Sequence, residues 1–386
     1  RLMGGKARNK IRVYQAPHAP TPEGGAEAAL ALIDGEYEEL PVAGTIEEAL
    51  APDAPLIHEA PIRPGLFHGL KLDEERDGNV CYRYAIDQGD VDELFASADI
   101  VVEDDYEFPG VYQYSMETHT VVADASASGI TVWATCQHPF LVRAEISALF
   151  DVPLSRVRVI VPYLGGGFGS KSYTKMEPVT VALAQKAGRP VRIQNSVDES
   201  MATTRRHGAR FHMRTAADAE GRLLARDVNV DFDTGAYADN GPRVVATGGD
   251  AAPGPYRWKG VRVRAACVHS NTSPSGSYRA FGASHLQWAG ELQVDEIGRR
   301  AGVDPLEMRR RNLARPGEDV RRGGKPLDAD LIGDIEKAAE RLGWDEPLPD
   351  GHGRGLSVGL LAAGAHPVSS AVVRLESDGE AVVQVG

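Results

Sequence analysis

The feature that most constrains the fold of this chain is a glycine-rich loop, GGGFGSK at 165–171, between a predicted strand and a predicted helix. Glycines there let the backbone approach a ligand closely, and consecutive N–H groups can converge on an anion or an oxo group. The predicted elements are, in order, a helix over 141–150, a strand over 157–161, the loop, a helix over 176–187 ended by Gly188, and a strand over 191–193. This order predicts an α/β unit.

Two nucleotide-binding motifs nearly match the loop, and both fail at the same residue. A Walker A loop requires glycine where the chain has Ser170, although Lys171 and Ser172 match the positions after it. The dinucleotide fingerprint GxGxxG also requires glycine at Ser170. A P-loop-like or dinucleotide-binding protein, and a tight turn without a ligand, are therefore alternative interpretations of the loop.

The rest of the chain is predicted to be a mixture of strands, hairpins and helices. Strands are predicted over 37–41, 100–106, 118–125, 131–135 and 261–268, hairpins over 211–232 and 372–385, and helices over 27–33, 286–300 and 332–342. Asp304 and Pro305 predict the start of another helix, whose Arg309–Arg311 run is interpreted as a solvated helix end. Residues 60–90 and 315–325 are interpreted as linkers, and 1–20 as loop.

Charge and cysteine spacing exclude several classes of protein. The chain of 386 residues carries 42 Lys+Arg and 55 Asp+Glu, and this net charge of −13 disfavours nucleic acid and anionic membranes as partners. The longest apolar stretch, 355–365, is too short to span a bilayer, and no signal peptide is visible. Cys81, Cys136 and Cys267 lie far apart, so we expect no iron–sulfur cluster, no disulfide framework and a cytoplasmic location.

Several short segments, taken in order, resemble one family. These segments are residues 28–41, Met116–His119, Gln137 with Pro139, the glycine loop, Tyr278–Gly282, and Asp304-Pro305 leading to Arg310–Leu313. From about residue 26 onward the chain resembles the large, molybdopterin-binding subunit of the xanthine dehydrogenase/aldehyde oxidase family, also called molybdenum hydroxylases. The resemblance implies an α+β fold with three parts: a remnant of the hammerhead domain and a linker over 1–65, the first molybdopterin-binding domain over 66–318, and the start of the second over 319–386.

The resemblance also implies a role for individual residues. The cofactor-binding positions would be Gln137, Gly166, Gly167, Phe168, Gly169, Arg279, Ala280, Phe281 and Gly282. Gln137 would hydrogen-bond near an oxo ligand of the metal, and Phe281 would lie beside the substrate, which Ser172 also lines. No side chain of this chain would bind the metal directly. Taken singly, each of these residues is more often structural, and we interpret the Glu117–His119 pair as structural and His138 as a candidate pocket residue.

The implied reaction inserts a water-derived oxygen atom into an electron-poor C–H bond of an aldehyde or N-heterocycle. It implies molybdopterin with molybdenum, as the pterin alone or as its cytosine dinucleotide. Because the chain lacks cluster-binding cysteines, we expect iron–sulfur and FAD subunits as partners in a hetero-oligomer. The glutamate base of the family would lie beyond Gly386, so we expect no catalytic residue in this chain and no activity from it alone. A fragment, a split gene and a non-catalytic remnant all agree with this expectation.

Three departures from the family pattern bear on the substrate. Ser172 stands where xanthine-type enzymes carry a glutamate, and Thr247 stands at the position of their substrate-binding arginine. Ala280 replaces the cysteine that carbon monoxide dehydrogenases place after Tyr-Arg. The sequence therefore predicts that purines are poor substrates and that there is no copper-bridged site.

Overall fold

The computed structural model describes residues 38–59, 77–320, 326–361 and 370–385. The strands are β1 (Val80–Gln88), β2 (Ile100–Phe108), β3 (Thr120–Ser126), β4 (Gly129–Ala134), β5 (Val157–Ile160), β6 (Val191–Gln194), β7 (Arg205–Arg206), β8 (Gly208–Ala217), β9 (Leu223–Gly235), β10 (Gly260–His269), β11 (Ser275–Gly276), β12 (Ala371–Leu375) and β13 (Ala381–Val385). The helices are α1 (Ile46–Leu50), α2 (Val91–Ala96), α3 (Pro139–Leu149), α4 (Glu177–Ala187), α5 (Val197–Thr203), α6 (Gly241–Ala251), α7 (Ala283–Ala301), α8 (Pro305–Asn312) and α9 (Leu331–Leu342).

The larger sheet has the strand order β1-β10-β9-β8-β2. β9 and β10 run parallel, and the other neighbours are antiparallel, including the β8–β9 hairpin predicted over 211–232. The central strand β9 is buried along nearly its whole length because α2 and α6 pack against it and α7 contributes to the core on the sheet. Met213, Val230, Phe232 and Leu286 belong to this core.

The smaller sheet contains the predicted α/β unit. Its order is β5-β4-β3-β6, with β4 and β5 parallel and α3 and α4 packed against the strands. Val142 and Ile146 of α3 share a core with Val132 and Val181. Helix α4 ends at Gly188, whose φ of +61° is the left-handed conformation that glycine adopts easily. The mixed sheets with helices confirm the predicted α+β class.

Two interpretations of the sequence are wrong within the described residues. The supposed linker over 60–90 contains β1, whose alternating Tyr82, Tyr84 and Ile86 are partly or wholly buried on the larger sheet. Arg309 is not solvated: it is fully buried and forms ion pairs with Glu291 and Asp295. In both places, charged residues nearby in the sequence led to a prediction of solvent exposure for residues that are buried.

The remaining secondary-structure predictions have different outcomes. The helix over 27–33 and the loop over 1–20 lie outside the described residues, and residues 38–41 form no strand. The β12–β13 hairpin is confirmed as an antiparallel pair. Asp304 caps α8 as predicted, because its carboxylate accepts from the backbone N–H groups of Leu306 and Glu307. Among the described helices, none combines the length and apolar character needed to cross a membrane.

Candidate functional site

The glycine loop, between β5 and α4, packs against the loop at 277–282, between β11 and α7; we call the second loop the Arg279 loop. The backbone N–H of Arg279 donates to the Phe168 carbonyl at 3.0 Å. Gln113 supports the contact from behind, because its Nε2 donates to the Ser277 carbonyl at 2.8 Å. The tertiary structure thus joins two segments that are far apart in the sequence and that were both predicted to bind cofactor.

Two glycines make this contact possible. A Cβ at Gly169 would lie within 3.0 Å of the carbonyl carbon and oxygen of Ser277, and the φ of Gly169 is +111°. A Cβ at Gly167 would lie equally close to the side chain of Gln137. Only glycine fits these positions, because any side chain would force the two loops or the Gln137 amide apart.

Gln137 is fixed to the glycine loop at two points. It lies two residues before the start of α3, and its Oε1 accepts from the backbone N–H of Gly169 at 2.9 Å. Its own backbone N–H donates to the Lys171 carbonyl at 2.7 Å. Because Oε1 is held by an N–H donor, the amide orientation is fixed and Nε2 is left as a donor. In the described part of the chain, Nε2 has no acceptor.

Strained backbone is concentrated in the same two loops. Phe168 has a φ of +53°, and Ala280 and Phe281 have φ values of +75° and +42°. Non-glycine residues in this region cost of order 1–3 kcal/mol each and cluster at functional sites. The backbone N–H groups of Phe168 and Ala280 donate to no described residue, so they are available to a ligand.

Aromatic surface and a cation accompany these donors. Phe168 is 43% exposed, and the Arg279 guanidinium carbon lies 5.1 Å from the centre of its ring. Met116 and Tyr163, at 97% and 90% exposure, are among the most exposed large apolar side chains described. Their segments adjoin the glycine loop, because the N–H of Glu117 donates to the Gly165 carbonyl at 3.2 Å. The two loops therefore present donors, a guanidinium and an apolar surface together.

Lys171 is not available to a phosphate. Its side chain is fully buried, and its Nζ lies 2.8 Å from Oε2 of Glu117, which also accepts from the backbone N–H of Gly165 at 2.9 Å. His119 lies nearby, and its Nε2 donates to the Ser170 carbonyl at 3.2 Å. Burial lowers the pKa of His119 to about 4, so the ring is neutral. Glu117 and His119 hold the loop in place, as the structural interpretation predicted, and the geometry disfavours the Walker A alternative.

Ser172, predicted to line the substrate, is 3% exposed. Its carbonyl accepts from Nδ1 of His138 at 2.7 Å, so the candidate pocket histidine also binds the end of the glycine loop. Thr247 lies on α6 and is partly buried. Phe281 is partly buried beside the exposed Arg279. The roles assigned to these residues remain predictions.

A polar network behind the loops was missed by sequence reasoning. Asn240 accepts from the Tyr173 hydroxyl at 3.1 Å and donates to Ser277 Oγ at 2.9 Å, which connects the end of the glycine loop to the Arg279 loop. Lys175 forms an ion pair with Asp239 next to it. The Asn240-Gly241-Pro242 sequence is typical of a helix start, and that signal would have located α6.

Two carboxyl groups with raised pKa values lie on the helices that flank this network. Burial raises the pKa of Glu145 to about 7, and the nearby charge of Glu177 adds to the shift. Burial also raises the pKa of Glu177, although backbone N–H donors around Lys175 oppose it. Within the described ranges, no cluster of three or more histidine, cysteine or acidic side chains is arranged to bind a metal ion. The described residues at the two loops would therefore contact a ligand directly through backbone, amide and guanidinium groups.

Comparison with known proteins gives a consistent picture. The sequence model described as "Molybdopterin cofactor-binding domain" matches residues 72–313. A probable xanthine dehydrogenase subunit of Bacillus subtilis is 37% identical over 75% of this chain and 37% of the relative. The nicotinate dehydrogenase large molybdopterin subunit of Eubacterium barkeri is 33% identical over 88% of this chain and 76% of the relative. The chain thus spans well under half of the Bacillus relative and about three quarters of the Eubacterium relative.

Solved structures share the fold. An aldehyde oxidoreductase of Desulfovibrio gigas superposes with a TM-score of 0.78 at 24% identity, over 95% of this chain and 40% of that one. The quinoline 2-oxidoreductase of Pseudomonas putida 86 has a TM-score of 0.71 at 26% identity, over 89% of this chain and 46% of that one. Both similarities extend over nearly all of the chain.

Proposed function

Because the chain belongs to the xanthine dehydrogenase family of molybdenum hydroxylases and contains its molybdopterin cofactor-binding domain, we propose that the glycine loop and the Arg279 loop hold molybdopterin and its molybdenum. The observation that carries this proposal is the junction of the two loops. There, the N–H groups of Phe168 and Ala280 and the amide of Gln137 are all free to donate. Such donors suit the oxo and phosphate oxygens of this cofactor.

Each residue at the junction would act through a property that the structure shows. Gln137 would donate from Nε2, because its Oε1 is already occupied by Gly169. Arg279 is exposed, and its planar guanidinium matches oxygen pairs of a phosphate or carboxylate. Lys171 and Glu117 would keep the loop in shape without touching the ligand. When bound, the cofactor would supply two-electron redox chemistry that amino-acid side chains lack.

We propose that the whole protein is an oxidoreductase that hydroxylates an aldehyde or an N-heterocycle and passes electrons to iron–sulfur and flavin partners. Relatives named as dehydrogenase subunits support a hetero-oligomer. The three cysteines of the chain are too few for the cysteine set that an iron–sulfur cluster usually takes, which supports carriers on other polypeptides or segments. Two carboxylates beside the loops, Glu117 and Asp239, are engaged by Lys171 and Lys175. The catalytic base would lie outside the described residues, as the family resemblance implies.

Metal and pterin analysis tests the cofactor. The protein, purified with its natural subunits, should contain about one molybdenum per chain by mass spectrometry and release an oxidised pterin by fluorescence. The same chromatogram distinguishes the pterin from its cytosine dinucleotide. Gln137→Ala should lower the molybdenum content severalfold, whereas Gln185→Ala, on the exposed face of α4, should leave it unchanged. Saturable binding of ATP or NAD, with neither molybdenum nor pterin, would overturn the proposal in favour of a nucleotide site.

Substrate choice tests the finer proposal. We expect kcat/KM for xanthine to be lower than for aromatic aldehydes or simple N-heterocycles, by roughly tenfold or more. The reason is that buried polar groups of a purine left without a hydrogen-bond partner cost about 1–3 kcal/mol each. Ser172 is short, neutral and buried, and it offers no carboxylate to a purine ring. Steady-state dye reduction with a panel of substrates measures the ratio. An enzyme that prefers xanthine to every aldehyde and heterocycle tested would show that the pocket has been placed wrongly.

A further inference from the structure

Two of the three cysteines meet on the larger sheet, on strands β1 and β10. β1 pairs antiparallel with β10, and the register shifts between Val80 and Tyr82, where Tyr82 is opposite Cys267. At such a bulge two residues of one strand oppose a single residue of the other. Cys81 is the extra residue, so Cys81 and Tyr82 both lie opposite Cys267. The sequence concealed this proximity because β1 and β10 are widely separated along the chain.

A histidine completes the group. His269 follows Cys267 by two residues on β10, and it is therefore on the same face of the strand. Its Nδ1 donates to the Gly235 carbonyl at 3.0 Å, while its buried Nε2 lacks a conventional hydrogen-bond partner within the described chain. The ring is 5% exposed, and the ring of His58 packs edge-on against it at a centroid distance of 4.6 Å. Cys81 packs against the same hydrophobic cluster that contains Cys267 and Tyr82.

The surroundings make the two thiols chemically unequal. The neighbouring Cys267 thiol and, to a smaller extent, His269 lower the pKa of Cys81 to about 6, although burial opposes the shift. Burial lowers the pKa of His269, but the neighbouring Cys81 thiol outweighs this effect and the pKa is raised. Burial raises the pKa of Cys267, and the nearby Asp233 adds to the effect. Cys81 is also partly exposed, whereas Cys267 is fully buried.

We propose that Cys81 and Cys267, assisted by His269, form a redox-active thiol pair that a hydroperoxide oxidises to a disulfide. The Cys81 thiolate attacks the distal peroxide oxygen, which breaks the O–O bond and leaves a sulfenic acid and an alkoxide, or hydroxide where the oxidant is hydrogen peroxide. The Cys267 thiol then displaces the sulfenic oxygen as water and forms the S–S bond. With hydrogen peroxide, two electrons from the thiols reduce it to two waters, and a dithiol reverses the change. None of the residues proposed to hold the cofactor takes part in this reaction.

Thiol mapping of the unaltered protein tests the pair. The protein is treated with hydrogen peroxide, denatured, alkylated with iodoacetamide, digested without reduction and examined by mass spectrometry. We expect a peptide cross-linked through Cys81 and Cys267 that dithiothreitol separates. Cys136 is the internal control, because burial raises its pKa to about 12 and it should remain a free thiol. If Cys81 and Cys267 are still alkylated after exposure that fully oxidises glutathione, or if Cys136 oxidises equally fast, the proposal is overturned.

The pH dependence of alkylation tests the role of His269. In the native protein, Cys81 should react with iodoacetamide with a midpoint near pH 6, and His269→Gln should move this midpoint upward by about one pH unit or more. The groups that face the thiol pair are His269 and Asp233, with His58 behind the imidazole. Cys267→Ser should retain the sulfenic acid at Cys81, which dimedone labels. A midpoint that stays near the ordinary thiol value in the unaltered protein would contradict the assigned role of His269.

Discussion

Replacing Gly169 with alanine is expected to separate the two cofactor loops and to lower the molybdenum content of the purified enzyme by roughly tenfold or more. A Cβ at this position would lie within 3.0 Å of the backbone of Ser277, and backbone cannot move aside as a flexible side chain can. The hydrogen bond from Gly169 N–H to Gln137 would also be disturbed. Metal analysis and the melting temperature of the same preparation measure the effect.

Gly188→Ala is the matched control. Gly188 also has a positive φ, +61°, but a Cβ there would meet no atom within 4 Å. Alanine at Gly188 therefore carries only left-handed backbone strain of about 1 kcal/mol, whereas Gly169, with a φ of +111°, lies outside the left-handed region and Gly169→Ala also adds the clash. We expect Gly188→Ala to lower the melting temperature slightly and to keep its molybdenum. Equal metal content in the two variants would contradict a role for the loop junction in holding the cofactor.

Replacing Arg309 with alanine is expected to destabilise the chain by about 3–5 kcal/mol, because it leaves an uncompensated buried charge. The Arg309 side chain is fully buried; its Nη2 lies 2.7 Å from Oε2 of Glu291, and its Nη1 lies 2.7 Å from Oδ1 of Asp295. The Glu291 carboxylate also accepts from the Tyr256 hydroxyl and from the N–H of Val358, so it connects several elements. The free energy of unfolding in urea measures the loss.

The neighbouring Arg310 provides the comparison. It is 41% exposed and pairs with Glu336 at the surface, at 2.9 Å. Exposed ion pairs contribute about 0–1 kcal/mol, so Arg310→Ala should hardly change the unfolding midpoint. Arg309→Lys should be intermediate, since one ammonium cannot reach both carboxylates in the bidentate geometry. If the Arg309→Ala and Arg310→Ala variants lose the same free energy of unfolding, the buried network does not stabilise the fold.

Most individual elements could be predicted because their signals are local. The hairpin over 211–232, the end of α4 at Gly188 and the Asp304 cap of α8 depend on residues within a few positions of one another. The glycine loop likewise carries its own evidence of close backbone approach. Helix α6 was missed because most of its buried residues are glycine, alanine or proline, and packing on the sheet stabilises it rather than propensity.

By itself, the sequence determined the α/β unit and the family resemblance, and it predicted the segments that would hold a cofactor. Tertiary structure alone decided which of these segments meet. Three contacts join residues from different elements: the ion pairs of the buried Arg309, the contact between Phe168 and Arg279, and the proximity of Cys81 to Cys267. Local propensity carries no information about such pairs, because strand pairing and helix docking set the distance between residues that the chain itself keeps far apart.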